Sequence, residues 1–298
     1  MWPRGARCDM LDLSDHVRLR FTGNDRVRYL NGQVTNDVRK ISTSSALWAC
    51  ITNHKGKLEA LVTIHDGGDG AIYLDGPPEL REFLPGRLER YIIADDVVLE
   101  DVSESTVQAH FLEEKPVLPE GFRAVACSRL GVPGWDVWGP AEKGDELFAL
   151  EPALSPETEE RMRIAHGIPG WATELARDIL PPEAGLETWA VDYHKGCYIG
   201  QEVISRLKSV GRVNRQLQCF VLESGPELEA GWLIFPAESP ESEPPKSCGE
   251  ITSAIWHPEL EKSVALGYVR REQIASGNRF LAGPDADCLH SRIAIRNT

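Results

Sequence analysis

Five short apolar runs follow Arg215, each bounded by turn residues: Gln216–Glu223, Trp232–Phe235, Gly249–Trp256, Ser263–Val269 and Ser291–Arg296. Runs of four to eight residues are strand lengths, and the polar, Gly- and Pro-containing gaps between them suit hairpins. Strands this short bury their apolar faces by pairing all round, so the spacing predicts a small β-barrel. Residues 237–247, AESPESEPPKS, read as a low-complexity polar loop inside it. A domain boundary is expected near 214–216, dividing the chain into residues 1–214 and 215–298.

Upstream of that boundary, strands mix with a few helices. Val17, Leu19 and Phe21 alternate with His16, Arg18 and Arg20, the period of a half-buried strand. Gly23-Asn24-Asp25 opens a short helix through about Asn31. Leu47–Asn53 and Lys57–His65 flank Asn53-His54-Lys55-Gly56, a hairpin signal. Gly67–Gly70 is a second turn, followed by a strand over Ala71–Leu74. Leu80, Phe83, Leu84, Leu88, Tyr91 and Ile92 have helical spacing, which predicts a helix over Pro78–Ile93. Val97–Asp101 and Thr106–Phe111 return to strand. Ser155-Pro156-Glu157 starts another helix, with Gly167 as its C-terminal glycine. Residues 168–194 read as irregular. Strands predominate without βαβ alternation, so the fold class is α+β rather than doubly wound.

A chain of 298 residues with 42% apolar and 26% charged residues folds as a globular protein of one or two domains. No apolar run approaches the roughly 20 residues of a membrane span, so no membrane partner is expected. The opening MWPRGARCDMLDLSD lacks the apolar stretch of a secretory signal. Seven cysteines, none spaced C-x-x-C, argue against a disulfide framework and point to the cytoplasm. No metal site is expected from the histidine and cysteine spacing. The net charge of −14 disfavours non-specific nucleic-acid binding. Residues 195–215 depart from it, with five basic groups against one acidic. Such a cluster is a solvated helix face or a local anion site.

The chemistry concentrates in HKGCYIGQEVISR, His194 to Arg206. Gln201–Ser209 reads as a short helix with Val203, Ile204 and Leu207 on one side. Cys197 then lies just before a helix N-terminus, two residues after Lys195. Positive helix potential and a nearby ammonium both favour a thiolate. Gly196 and Gly200 allow close backbone approach, where N–H groups could hold an anion. On residue chemistry alone, Cys197 is either a structural cysteine in a tight turn or a reactive thiol.

LysGlyCysTyrIleGlyGlnGlu at 195–202 resembles the K-G-C-[FY]-x-G-Q-E signature of the YgfZ family, the folate-binding branch related to the glycine-cleavage T-protein, GcvT. The resemblance extends to Leu19–Asp37, to HKGKLEA at 54–60, to RIAHGIPGWATEL and LPPEAGLE, to SRLKSVGRVNRQL, and to GEITSAIWHP and ALGYVRR. Residues 102–150 resemble nothing in the family closely enough to align.

The resemblance implies a GcvT/YgfZ-like three-subdomain ring. Its N-terminal region would be ferredoxin-like, built of two interleaved subdomains, and its C-terminal domain a β-barrel. It further implies tetrahydrofolate or a derivative as ligand, and a role in assembling or repairing iron–sulfur clusters. Partners would be folate and iron–sulfur client or assembly proteins, with tRNA modification affected through iron–sulfur enzymes rather than by direct nucleic-acid contact. Cys197 would be the reactive thiol. Asn36, Asp37, Lys195, Tyr198, Gln201, Glu202, Arg163 and Arg206 would bind the cofactor.

The alternative implied by the T-protein branch is a tetrahydrofolate-dependent aminomethyl or one-carbon transferase. Here the chain departs from the pattern. The T-protein acidic pair, in a segment like G-G-x-x-D-D, falls at Glu59 and Ala60. The acidic residue of R-x-E-x-G falls at Ala165. The bland roles stay open for several residues. Asn36 and Asp37 suit a turn as well as a ligand channel, and Lys55 and Lys57 flank a hairpin. Arg163 and Arg206 suit structural ion pairs, and Trp171 and Trp189 suit core packing.

Overall fold

The computed structural model describes residues 9–209, 211–237, 246–276, 279–286, 288–289 and 291–296. In chain order the elements begin with β1 (Met10–Asp12), β2 (Val17–Thr22), α1 (Arg26–Gln33), β3 (Leu47–Thr52), β4 (Leu58–Asp66), β5 (Ile72–Gly76) and α2 (Leu84–Glu89). Next come β6 (Val98–Asp101), β7 (Thr106–Leu112), β8 (Arg123–Cys127), β9 (Gly134–Pro140), α3 (Gly144–Phe148), α4 (Pro156–Ala165) and α5 (Gln201–Ser209). The rest are β10 (Arg215–Ser224), β11 (Leu233–Pro236), β12 (Gly249–His257), β13 (Lys262–Arg270), α6 (Arg271–Ser276), β14 (Arg279–Gly283) and β15 (Ser291–Ile295). None of the described helices is long and apolar enough to cross a membrane.

The chain forms two compact units. The first comprises residues 1–155 and 186–205, the second residues 156–185 and 206–298. Residues 156–185 therefore pack with the second unit, although they precede the sequence boundary near 214–216. The reason is apolar: Ile164 of α4 is fully buried against Cys219, Val264 and Leu266 on β10 and β13.

The first unit holds two antiparallel sheets. One has five strands in the order β3-β4-β5-β2-β6 and the other four in the order β1-β7-β9-β8. The four-stranded sheet draws three strands from residues 102–150, the stretch without a family resemblance. Its core is Val107, Ala109, Phe111 and Val137, joined by Met10 from β1 and Leu147 from α3. In β2, Val17, Leu19 and Phe21 are buried as the alternation predicts, but Arg18 is buried too. Its guanidinium donates to the carbonyls of Leu13, Ser14, Ser103 and Thr106, so the second face is closed by hydrogen bonds rather than by apolar contact.

The helix expected over Pro78–Ile93 is not continuous. A 3-10 turn at Pro78–Leu80 precedes α2, which stops at Glu89. Pro85 lies in the first turn of α2 and has no N–H to bond back to residue 81, which breaks the helix there. Leu80, Leu84 and Leu88 are buried, whereas Tyr91 and Ile93 are exposed.

The second unit is built on a closed six-stranded barrel, β10-β13-β12-β11-β14-β15. Phe220, Leu222, Ile234, Ile251, Ala265, Val269, Phe280 and Ile293 fill it. The five strands read from the sequence are all present. The sixth, β14 (Arg279–Gly283), is absent from the sequence reading; its apolar residues are only Phe280, Leu281 and Ala282. Of the predicted loop 237–247, residues 238–245 lie outside the described residues.

Candidate functional site

In the first unit the signature segment lies against the end of α1. The Lys195 Nζ donates to the carbonyl oxygens of Asn31 at 2.6 Å, Val34 at 2.7 Å and Asn36 at 2.8 Å. Four residues on, the Ile199 N–H donates to the Gly32 carbonyl, and the Ile199 carbonyl accepts from Thr52 Oγ1 at 2.6 Å. Gly200 follows at φ +88°, and a Cβ there would lie 2.5 Å from the Asn53 carbonyl oxygen. Between these anchors Gly196 and Cys197 are exposed. The segment is thus held at both ends with its thiol facing solvent. α5 begins at Gln201, as the sequence predicts, with Ile204 buried and Glu202 and Arg206 exposed.

The Lys195 ammonium, two residues before Cys197 in sequence, turns its donors into the protein. Lys195 is only 6% exposed. Burial lowers its pKa to about 8, with Asp37 and Asp192 pulling the other way, so it keeps its proton at neutral pH. Tyr198 is buried, with its ring centroid 5.2 Å from the Lys195 Nζ. Its hydroxyl has no hydrogen-bond partner among the described residues, and burial raises its pKa.

Asn36 and Asp37 lie beside this cage, already engaged. The Asn36 side-chain amide donates to the Trp48 carbonyl at 2.8 Å and to the Trp189 carbonyl at 3.5 Å. Asp37 accepts twice from the Arg39 guanidinium, at 2.8 Å each, and caps the following 3-10 turn. The Arg39 hydrogen bonds hold its carboxyl below the usual range. Trp189 meets Trp48 edge-on at 5.5 Å. Lys55 and Lys57 flank a hairpin turn in which Asn53 Oδ1 accepts both their backbone N–H groups. Glu59 pairs with the buried Arg87 at 2.5 Å, and Arg87 also donates to Gln33 and to the Thr52 carbonyl.

Arg163 belongs to the second unit and forms a buried network there. It donates to both oxygens of Glu160, to Ile168 O, to Ser253 Oγ, and at 2.6 Å to Glu174. Glu174 also accepts from Gly170 N, Thr173, Thr252 and Ser253. Burial works against its ionisation, but Arg163 and these donors hold its carboxyl below the usual value. A cleft of about 530 Å³ opens beside it, with Arg215 and Arg270 balanced by Glu174 and Glu250 in its lining. Trp171 is half-buried and pairs across the turn with Leu175.

Two features escaped sequence reasoning. One is Glu174, a lone carboxylate in an irregular stretch without periodicity. The other joins the two sheets of the first unit. Buried Arg129 donates to Asp75 on β5 and Asp136 on β9 at 2.8 Å each, and His110 bonds Asp136 at 2.7 Å. Asp75 and His110 lie far from Arg129 in sequence, and Arg129 itself sits in the bend after β8, so no local signal connects the four.

Of the cysteines described, Cys197 is exposed, Cys127 and Cys288 are half-buried, and Cys50, Cys219 and Cys248 are buried. Burial pushes Cys50 up to about 12 and Cys219 and Cys248 up to about 11. It pushes Cys127 well above the ordinary thiol value.

A profile described as the glycine cleavage T-protein C-terminal barrel domain matches residues 215–287. The tRNA-modifying protein YgfZ of Yersinia enterocolitica is 23% identical over 229 residues, 70% of this chain and 69% of that protein. A protein of Haemophilus influenzae described only as uncharacterized is 22% identical over 276 residues, 91% of each chain. Among solved structures, the glycine cleavage system aminomethyltransferase T of Bartonella henselae superposes with a TM-score of 0.81 at 14% identity. The superposition covers 98% of this chain and 86% of that one.

Proposed function

We propose that this chain, a YgfZ-like protein on the glycine-cleavage T-protein fold, is a folate-binding accessory protein that supports assembly or repair of iron–sulfur clusters. Its effect on tRNA modification would be indirect, through iron–sulfur enzymes. The observation that carries the proposal is Cys197: the signature segment offers it to solvent between two anchored ends. A soft thiolate can ligate iron or enter thiol exchange, and one cysteine supplies one of the four ligands a cluster usually takes. The cluster is therefore cargo, completed by ligands from a partner.

The residues nominated for folate divide in two. Asn36, Asp37, Lys195 and Arg163 already spend their polar groups inside the protein. Tyr198, Gln201 and Glu202 provide a hydroxyl, an amide and a carboxylate in the signature, and the Tyr198 hydroxyl has no partner within the described residues, while exposed Arg206 belongs to the second unit. The donors and acceptors of Tyr198, Gln201 and Glu202 suit a pterin edge. A reduced folate, when bound, would supply one-carbon carrying capacity. The chain's own part is to bind it, to keep Lys195 protonated, and to present the Cys197 thiol.

Aminomethyl transfer of the T-protein type is not favoured. Ala60 and Ala165 stand where T-proteins carry acidic residues, and Glu59 is committed to Arg87.

The test is a strain lacking this protein, rescued with the wild type or with Cys197→Ser. Iron–sulfur enzyme activities should be restored by the wild type and not by the variant, at equal melting temperature and equal tetrahydrofolate affinity by calorimetry. Full rescue by the serine variant would leave Cys197 as a packing residue. No saturable heat with tetrahydrofolate would remove the ligand.

A further inference from the structure

We infer that Lys195 is a positioning residue: its ammonium fills a cage of main-chain carbonyls and so fixes the segment that presents Cys197. An ammonium has three N–H donors and no acceptor. All three are used, on Asn31 O, Val34 O and Asn36 O, each at 2.8 Å or less. None is left for a ligand carboxylate or for the thiol two residues away.

The position suits a cation for a reason independent of the signature. The last carbonyls of an α-helix lack intrahelical partners and carry the negative end of its dipole. α1 ends at Gln33, and the cage is formed by residues just inside and just beyond that end. Its last turn holds no basic residue of its own, so Lys195, distant in sequence, is the cation that serves it. A second tie, Ile199 N–H to Gly32 O, joins the same two segments four residues further on. Gly196, Cys197 and Tyr198 are therefore a short bridge between two fixed points, and Tyr198 is packed under the Lys195 ammonium.

The assignment goes beyond the iron–sulfur reading and stands or falls without it. It also predicts chemical rescue. Lys195→Ala removes the atoms of a propylammonium ion and leaves three carbonyls converging on its place. Lys195→Met keeps the bulk of the side chain and removes the charge.

Hydrogen exchange read by mass spectrometry on the full chain tests this. In both variants, amides over 31–36 and 195–200 should exchange at least tenfold faster than in the wild type, while β13 is unchanged. Millimolar n-propylammonium should restore slow exchange in Lys195→Ala and not in Lys195→Met. Unchanged exchange in both variants, or equal restoration by sodium ion, would overturn the assignment. If neither variant can be purified, the wild type decides. Under brief amine acetylation, Lys195 should be among the slowest lysines to react and exposed Lys55 among the fastest. Equal rates at Lys195 and Lys55 would sink the proposal. None of these readouts uses folate or an iron–sulfur enzyme.

Discussion

Arg163 and Glu174 meet at 2.6 Å inside the second unit, the arginine on α4 and the glutamate in the irregular segment that follows. The arginine stands in the R-x-E-x-G position of the T-protein pattern, but the acidic place of that pattern holds Ala165. Glu174 cannot act in its stead as an open acid, because both its oxygens already accept hydrogen bonds from the chain. Arg163 is likewise closed by Glu160, Ile168 and Ser253. A buried ion pair satisfied on all sides organises its surroundings, and losing one partner strands the other charge.

Cysteine reactivity should follow burial. Cys197 is expected to label first among the described cysteines under brief, substoichiometric alkylation, with Cys50, Cys219 and Cys248 inert because burial raises their thiol pKa values to about 12 and 11. Peptide mapping by mass spectrometry checks the order. Early labelling of Cys50 or Cys219 would contradict it.

Arg129→Met should be strongly destabilising. It leaves Asp75 and Asp136 buried without their shared cation, a loss of roughly 3–5 kcal/mol by analogy with other broken buried pairs. A urea midpoint within experimental error of the wild type would mean that the network is not ionised.

Acid should act in two stages. His65 is buried between Tyr73 and Trp138 with neither ring nitrogen bonded, and burial lowers its pKa to about 4. The unfolded chain therefore binds this proton first, and stability falls as the pH drops from about 6.5 to 4, by about 3 kcal/mol in all. Asp75 and Asp136 are held below the ordinary carboxyl value: burial opposes their ionisation, but Arg129 and the histidines outweigh it. Their contribution is present above about pH 4 and is lost below it. Urea unfolding of the wild type and of His65→Phe at pH 7, 5.5, 4.5 and 3.5 separates the stages. The variant should lose the upper slope and keep the lower one.

Gly200→Ala should cost more than 2 kcal/mol or so, combining a left-handed backbone with a Cβ driven into the Asn53 carbonyl and the Thr52 hydroxyl. Ala172→Gly should do the opposite. Ala172 sits exposed at φ +66°, so glycine relieves strain of about 1 kcal/mol with no packing lost. Thermal melts of the two variants should shift in opposite directions. A melting temperature lowered by Ala172→Gly would show that its backbone is unstrained.

Much of the second unit was legible before the structure. β10, β12 and β13 each carry several apolar residues within nine or ten positions bounded by turn residues, which is enough to overcome local ambiguity. β14 was not, because a short strand bounded by polar residues looks like a turn until its neighbours pair with it. The break at Pro85 was legible in principle, since proline removes a donor. The long apolar spacing around it pointed instead to one continuous helix.

The sequence alone determined the α+β class, five of the six barrel strands, the helix that begins at Gln201 and the signature carrying Cys197. These depend on local periodicity, on turn residues and on short motifs, all of which are written in neighbouring positions. The tertiary structure decided where the polar groups go. Lys195 looked like a partner for the thiol two residues away, yet it reaches carbonyls near residue 34. Asp75, Arg129 and Asp136 meet across two sheets, and Glu174 closes on Arg163. A buried charge must find its counter-charge or its carbonyls wherever the fold brings them, because leaving it unpaired in a low-dielectric interior costs more than any local preference can offset.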